Sequence, residues 1–80
     1  MQPRIFIGKV IKKNREIHKI TQANLAERCS LSLVSISKFE RNITEPSFAT
    51  IIKLAKAFEM EVSEFVREIE EGLEMVHTPD

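Results

Sequence analysis

Carboxylates are the residues of this chain whose type and spacing could support acid–base catalysis. Four of them fall close together near the end of the sequence, at Glu68, Glu70, Glu71 and Glu74. They lie in a charge run on a predicted helix with no base or nucleophile converging on them, a pattern typical of a solvated helix face. The chain also lacks a glycine-rich phosphate loop, a Ser-His-Asp set and a nucleophile elbow. We therefore predict that it is not an enzyme.

Histidine and cysteine are too few and too far apart to predict a metal site. The chain has His18, His77 and the single cysteine Cys29, whereas structural metal sites use about four ligands at short spacings. We predict no cofactor. Cys29 is predicted to be a small buried residue that closes a helix, with a redox sensor as the alternative. One cysteine excludes an internal disulfide and is typical of a reducing compartment, so a cytoplasmic location is expected.

Charge is segregated along a chain whose net charge is zero. Residues 1–58 hold eleven Lys or Arg against four Glu, a net charge of +7, whereas residues 59–80 hold Arg67 against seven Glu and Asp80, a net charge of −7. The first segment can meet a polyanion, and the acidic helix and tail over 59–80 cannot. No apolar run approaches the length of a membrane span or a signal peptide, so we expect no membrane association.

Helical spacing of apolar residues dominates, and no strand pattern or hairpin turn is present. Five helices are predicted. The first runs from Pro3 or Arg4 to about His18, the second covers 22–29 after a Thr21 cap, and the third covers 33–41 after a Ser32 cap and ends at Asn42. The fourth follows a Ser47 cap, and its apolar side carries Phe48, Ile51, Ile52, Ala55 and Phe58. The fifth follows a Ser63 cap and is ended or loosened by Gly72. These assignments rest on the preference of Ser and Thr for helix N-caps.

Only Ser30 and Leu31 separate the second and third helices, so the two helices must cross steeply. Five apolar residues are predicted to fill the angle between them: Leu25, Ala26, Leu31, Ile36 and Phe39. The outer face of the third helix is small, hydroxylic and basic. A DNA major groove, about 12 Å wide, can admit such a helix.

These residues resemble a known family. Residues 20–28 (ITQANLAER) and 35–42 (SISKFERN) are similar to the helix-turn-helix of the Cro and phage-repressor (Xre-type) proteins, and Pro46-Ser47, 54–58 (LAKAF) and 62–65 (VSEF) are similar to their fourth and fifth helices. The resemblance covers about residues 5–70. It implies an all-α, five-helix, lambda-repressor-like domain over 1–80, with the helix-turn-helix motif at 21–41.

The resemblance also implies roles for individual residues. DNA contacts are expected at Gln22, Ser32, Leu33, Val34, Ser35, Ser37, Lys38, Arg41, Asn42 and Thr44. Gln22 falls where the family contacts a phosphate and braces the reading helix, and Lys38 falls at a base-facing position. Arg15 and Glu40 match a pair that the family joins as a salt bridge.

Three positions depart from the family pattern. Ser30 replaces the usual turn glycine and is expected to accept a positive φ. Asn24 stands where a glutamate would complete a capping box with Thr21. Leu33 and Val34 are apolar, so they could read only thymine methyl groups or fill space, which leaves direct readout to Lys38 and Ser37 together with DNA shape.

The expected activity is that of a sequence-specific transcriptional regulator, a repressor, that binds a palindromic operator on double-stranded DNA as a homodimer. The predicted dimer interface consists of Phe65, Val66, Ile69 and Leu73, which would also complete the core of each monomer. Phage-type repressor, antitoxin and restriction–modification controller stay open as roles, as does a partner protein bound through the acidic region. The alternative function is a protein-interaction module that uses Leu33 and Val34 as its contact.

Overall fold

The computed structural model describes the backbone of residues 7–76 and the side chains of residues 7–72. Five α-helices follow one another, and no strand is present among these residues. They are α1 Gly8–Ile17, α2 Gln22–Cys29, α3 Leu33–Glu40, α4 Phe48–Ala57 and α5 Val62–Val76. The predicted start of the first helix at Pro3 or Arg4 lies outside the described residues. No described helix is long and apolar enough to cross a membrane.

Hydroxyl side chains begin three of the helices, as predicted. Thr21, Ser32 and Ser47 each accept a hydrogen bond from the backbone N–H three residues later, at 3.1, 3.1 and 3.2 Å. Each bond satisfies one of the amide donors that a helix N-terminus leaves without an intrahelical partner. The starts of α2, α3 and α4 are therefore set by hydrogen bonds between residues close in sequence.

The start and end of α5 differ from the prediction. The helix begins at Val62, so Ser63 is inside its first turn and is not the cap. Instead the Glu64 carboxylate accepts a hydrogen bond from the Glu61 backbone N–H at 3.0 Å. Gly72 neither ends nor interrupts the helix, which continues to Val76. A glycine inside a helix is unfavourable by only about 1 kcal/mol, which the remaining turns of α5 can offset.

Four helices end in the same left-handed motif, and none uses glycine there. The residues with positive φ are Lys19 (56°), Ser30 (55°), Asn42 (60°) and Glu59 (56°). The residue after each one is apolar, and its backbone N–H donates a hydrogen bond to the carbonyl five residues earlier, as Leu31 does to Ala26 at 2.9 Å. This is the arrangement of a Schellman motif. The positive φ expected for Ser30 and the left-handed helix end expected at Asn42 are both confirmed.

One hydrophobic core joins all five helices. Its buried residues are Ile7, Val10, Ile11, Ile20, Leu25, Ala26, Cys29, Ile36, Phe39, Ile51, Leu54, Ala55, Phe58, Phe65 and Ile69, with Leu31 packed against them. The predicted filling of the angle between α2 and α3 is confirmed. Burial raises the pKa of the Cys29 thiol, and the charge of Lys53 opposes that shift. Phe48 was predicted to lie on the core side of α4, but its side chain is 65% exposed.

The start of α1 lies directly against the end of α3. A Cβ atom added to Gly8 would clash with the carbonyl oxygen of Glu40 and lie 2.8 Å from its carbonyl carbon. In this close approach the backbone N–H of Gly8 donates to Oδ1 of Asn42 at 3.0 Å. Because Ile7 supplies no side-chain cap, the amide of Asn42 serves as the cap of α1 from 34 residues away.

A polar contact joins α1 to α5. Asn14 is buried, and its Nδ2 donates to the carbonyl of Val10 and to Oε1 of Glu68, both at 2.9 Å. The same carboxylate oxygen lies 3.2 Å from Nζ of Lys13. The buried side chain of Asn14 is therefore satisfied, and it fixes α5 against α1.

Candidate nucleic-acid interface

The outer face of α3 is the most accessible part of the helix-turn-helix. Ile36 and Phe39 anchor the inner face in the core, whereas Leu33 and Val34 are 50% and 60% exposed. Lys38 is also exposed. Val34 and Lys38 are four residues apart and share the helix face opposite the buried pair, and Leu33 is exposed beside them at the first position of the helix.

Two serines order the beginning of this face. The Oγ of Ser32 accepts a hydrogen bond from the backbone N–H of Ser35. The same hydroxyl donates a hydrogen bond to the Oγ of Ser35 at 3.0 Å. Ser32 is exposed and Ser35 is half-buried. The two hydroxyls therefore have fixed positions before any ligand arrives.

Ser37 and Arg41 form a second ordered pair near the end of α3. The Nε of Arg41 donates to the Oγ of Ser37 at 3.1 Å and to its carbonyl oxygen at 3.3 Å. The side chain of Lys38, between them in sequence, makes no hydrogen bond or ion pair with the described residues. Its ammonium group is therefore the most available hydrogen-bond donor of this face.

A three-residue network fixes how α3 is held. Arg15 Nε donates to Glu40 Oε2 at 2.7 Å and its second terminal nitrogen to Oε1 at 3.2 Å, while Gln22 Nε2 donates to the same Oε1 at 3.0 Å. The Glu40 side chain is 6% exposed, and the hydrogen bond to it raises the pKa of Arg15. Since the third donor group of Arg15 binds the Ile20 carbonyl at 3.1 Å, the guanidinium ties α1, α3 and the turn before α2 together.

The loop after α3 carries the last two expected contacts. Thr44 is exposed there, beside exposed Ile43. Asn42 uses its amide oxygen to cap α1, as described above. It therefore has a structural role that the resemblance did not imply.

The comparisons with known proteins agree with this geometry. A family model described as helix-turn-helix matches residues 11–65, more than half of the chain. The chain belongs to the helix-turn-helix family.

Two relatives indicate which branch of the helix-turn-helix family this is. The chain is 32% identical to the DNA-binding domain of the P22 c2 repressor, whose solution structure matches with a TM-score of 0.71 over 82% of this chain and 86% of that one. It is 37% identical over 62 residues to the immunity repressor protein of Bacillus phage phi105. That match covers 78% of this chain and 43% of the relative, so the chain spans less than half of that protein's length.

A third comparison concerns the helix-turn-helix fold alone. The crystal structure of the clp gene regulator ClgR from Corynebacterium glutamicum matches with a TM-score of 0.81, covering 94% of this chain and 80% of that one at 21% identity. The resemblance to Cro and phage-repressor proteins is confirmed, and so is the all-α, five-helix, lambda-repressor-like fold.

The predicted dimer residues of this helix-turn-helix chain are not all at its surface. Phe65 is 0% and Ile69 5% exposed, and both belong to the monomer core. Their predicted part in the monomer core is confirmed, and their part in a dimer interface stays a prediction. Val66 is half-buried, and the side chain of Leu73 lies outside the described residues.

Gly8 and the Asn14–Glu68 contact are structural features of the site that sequence reasoning missed. An isolated glycine inside a helical pattern signals close packing, so Gly8 could have been noticed, but its partner Glu40 is remote in sequence. For Asn14, a polar residue on an apolar face gave a signal that something must satisfy it. Nothing in the sequence named Glu68 as that partner.

Proposed function

We propose that this chain is a sequence-specific DNA-binding transcriptional regulator, a repressor, that inserts α3 into the major groove. The observation that carries the proposal is the outer face of α3, exposed while its inner face is locked in the core. The ordered hydroxyls of Ser32 and Ser35 and the available ammonium of Lys38 lie on one short helix. A helix presented in this way has the shape that a major groove admits.

Affinity would come mainly from phosphate contacts. Gln22 and Arg41 lie at the two ends of the helix-turn-helix, and the segment up to residue 58 carries a net charge of +7. Contacts of this type do not depend on sequence, and they weaken steeply as salt rises because counterions are released on binding. The acidic α5 would face away from the duplex.

The reading face has two apolar residues and one cation suited to bases. Leu33 and Val34 project about 50–60% of their surface into solvent, and in a major groove their natural contacts are thymine methyl groups. Lys38 would bind guanine O6 or N7. The Ser37 hydroxyl accepts from Arg41, which leaves its own proton to donate to a base or a phosphate.

The proposal extends to the assembly and the cell. The protein would act as a homodimer, with two copies of α3 about 34–36 Å apart on a palindromic operator. It would be cytoplasmic and nucleoid-associated, with no enzymatic activity and no cofactor, and residues 1–80 would form one domain. The phi105 relative is an immunity repressor, which favours the phage-repressor role over an antitoxin or a restriction–modification controller.

Selection from random duplexes tests this function. The protein is incubated with a library of random double-stranded DNA, bound duplexes are enriched over several rounds, and the products are sequenced. We expect a palindrome whose half-sites contain thymine and guanine. Enrichment of no sequence over the input library would refute sequence-specific binding.

Lys38→Ala tests the reading assignment on that selected site. If Lys38 reads a base, discrimination between specific and random DNA falls by about 1–3 kcal/mol while affinity for random DNA changes little. Lys12→Ala, at an exposed position of α1, is the matched control and should leave discrimination unchanged. Equal weakening on specific and random DNA by Lys38→Ala would assign Lys38 to a phosphate.

The second candidate is a protein-interaction module. It is favoured by the same two large apolar side chains, because exposed Leu33 and Val34 could equally pack against a protein. This reading predicts a stable protein complex lost in Leu33→Ser and Val34→Ser, together with absent or salt-insensitive DNA binding. The selection experiment separates the two functions.

A further inference from the structure

An open cleft lies between the C-terminal ends of α2 and α4, away from the reading helix. Its volume is about 390 Å³, its walls are mainly apolar, and its lining residues are Arg28, Lys53, Lys56, Ala57 and Glu59. We name it the basic cleft. None of its residues belongs to α3 or to the loop 41–47, and Arg28 lies about 9 Å along α2 from the phosphate-facing start of that helix. The proposed DNA contacts therefore leave the basic cleft without a role.

The positive charge of the basic cleft is not neutralised within the described chain. Three cations face the single carboxylate of Glu59, and neither of the two ion pairs formed by the described residues involves a cleft cation. Nη1 of Arg28 donates to the Ala57 carbonyl at 3.4 Å, which holds the guanidinium across the end of α4. Lys53 lies close enough to the end of α2 for its charge to oppose the burial-driven rise in the pKa of Cys29.

Helix dipoles explain only part of this arrangement. Arg28 and Lys56 lie in the last turns of α2 and α4, where a cation interacts favourably with the negative helix end. Lys53 lies a turn earlier, outside the range of that effect. Three cations around an apolar opening have the charge and the apolar surface that a carboxylate-bearing surface with exposed carbon would complement.

The chain carries such a surface next to the basic cleft. Glu59 lines the cleft, and α5 begins at Val62, with Glu61 and Glu64 exposed at its start. A two-fold axis beside this connection would bring the start of α5 in each protomer to the cleft of the other. The contact would then occur twice, as in every isologous dimer.

We propose that the basic cleft binds the acidic start of α5, Glu61 and Glu64, of a second copy of this chain. The inference rests on the homodimer of the proposed function and gives that homodimer a charged contact outside the core in which Phe65 and Ile69 are buried. It also gives a role to part of the charge segregation of this chain: three of the cations in residues 1–58 would meet two of the carboxylates in residues 59–80.

The interface is expected to be weak and sensitive to salt. Exposed ion pairs are screened and are individually small, so the dissociation constant should lie on the order of 0.1–1 mM at low ionic strength. Such a contact is suited to pairing two protomers that DNA already holds side by side. Raising the salt concentration should increase the dissociation constant at least about tenfold.

Sedimentation equilibrium without DNA tests the proposal by a charge exchange. Lys53→Glu alone and Glu61→Lys alone each weaken both symmetric contacts, so each variant should sediment as a monomer. In an equimolar mixture, a heterodimer keeps one contact with native charges and restores the other with exchanged signs. Dimers should therefore form again in the mixture, as heterodimers of the two variants. Lys12→Glu, an identical charge change at an exposed position of α1, is the control and should behave as the native chain.

Several outcomes would overturn the proposal. They are a native chain that stays monomeric up to about 1 mM, single variants that associate as the native chain does, and a mixture that stays monomeric. Circular dichroism of each variant shows that α-helical structure is retained. Because no DNA is present, failure here leaves the selection experiment unaffected, and failure of that selection leaves this result standing.

Discussion

Replacing each of the two glycines with alanine should change stability in opposite directions. Both glycines lie within helices, Gly8 at the start of α1 and Gly72 within α5, and neither has a positive φ. Helix propensity alone predicts that both changes stabilise, by up to about 1 kcal/mol. The surroundings differ: an added Cβ at Gly72 meets nothing within 4 Å, whereas at Gly8 it meets the backbone of Glu40.

The size of the Gly8 effect follows from what would have to move. The obstructing atoms are the carbonyl group of Glu40, held within α3, so no flexible side chain can yield, and α1 must shift away from α3. Overpacking of this kind is destabilising by about 1–3 kcal/mol. Loss of the hydrogen bond from Gly8 to Asn42 adds about 0.5–1.5 kcal/mol. After the propensity gain is subtracted, Gly8→Ala should lower the free energy of unfolding by about 2 kcal/mol.

Thermal and urea unfolding followed by circular dichroism measure both effects. For a chain of this size, 1 kcal/mol corresponds to about 4–8 °C in Tm. Gly8→Ala should therefore lower Tm by about 8–16 °C, and Gly72→Ala, the matched control, should raise it by a few degrees. A Gly8→Ala protein as stable as the native chain would refute the close approach of α1 to α3.

Three further outcomes are expected. Ser30→Gly should raise the free energy of unfolding by about 0.5–1 kcal/mol in urea titrations, because glycine removes the strain of a left-handed residue; a decrease would contradict the helix-end geometry. Arg15→Ala should lower it by about 3 kcal/mol, since the nearly buried Glu40 carboxylate loses its bidentate partner, and an unchanged melting curve would remove that pair from the stability of the fold. Replacing thymine with uracil in the selected operator should weaken binding by the native chain but not by a Leu33→Ala/Val34→Ala double variant, and equal weakening of both in a filter-binding assay would exclude methyl readout.

Local chemistry explains why the sequence predicts the helix-turn-helix well. Thr21 and Ser32 cap their helices by bonds that span three residues, and Ser30 must turn left-handed because only one more residue precedes the next cap. The apolar spacing of Leu25 and Ile36 likewise specifies the inner faces. The caps, the left-handed turn and the apolar faces all depend on residues close in sequence, so the spacing of residue types is enough to predict them.

The sequence is less informative where the structure depends on residues remote in sequence or on the direction in which a side chain projects. Phe48 fits the apolar period of α4, but it is the first helical residue, and side chains tilt toward a helix N-terminus, so it projects past the edge of the core. Phe65 and Ile69 were predicted to serve both core and dimer; the packing of α5 against α1 and α4 accounts for the core role, and the dimer role stays a prediction. The partners of Gly8 and Asn14 lie in helices remote in sequence, and no local signal identifies them.

The amide of Asn42 has a consequence for how the molecule opens. It follows the reading helix in the chain, yet it supplies the missing acceptor for the first turn of α1. Unravelling of α3 from its C-terminal end would remove that acceptor and release the beginning of α1 as well. The two segments should therefore exchange their amide hydrogens as one cooperative unit, which means that the surface offered to DNA cannot loosen at that end without loosening the first helix of the fold.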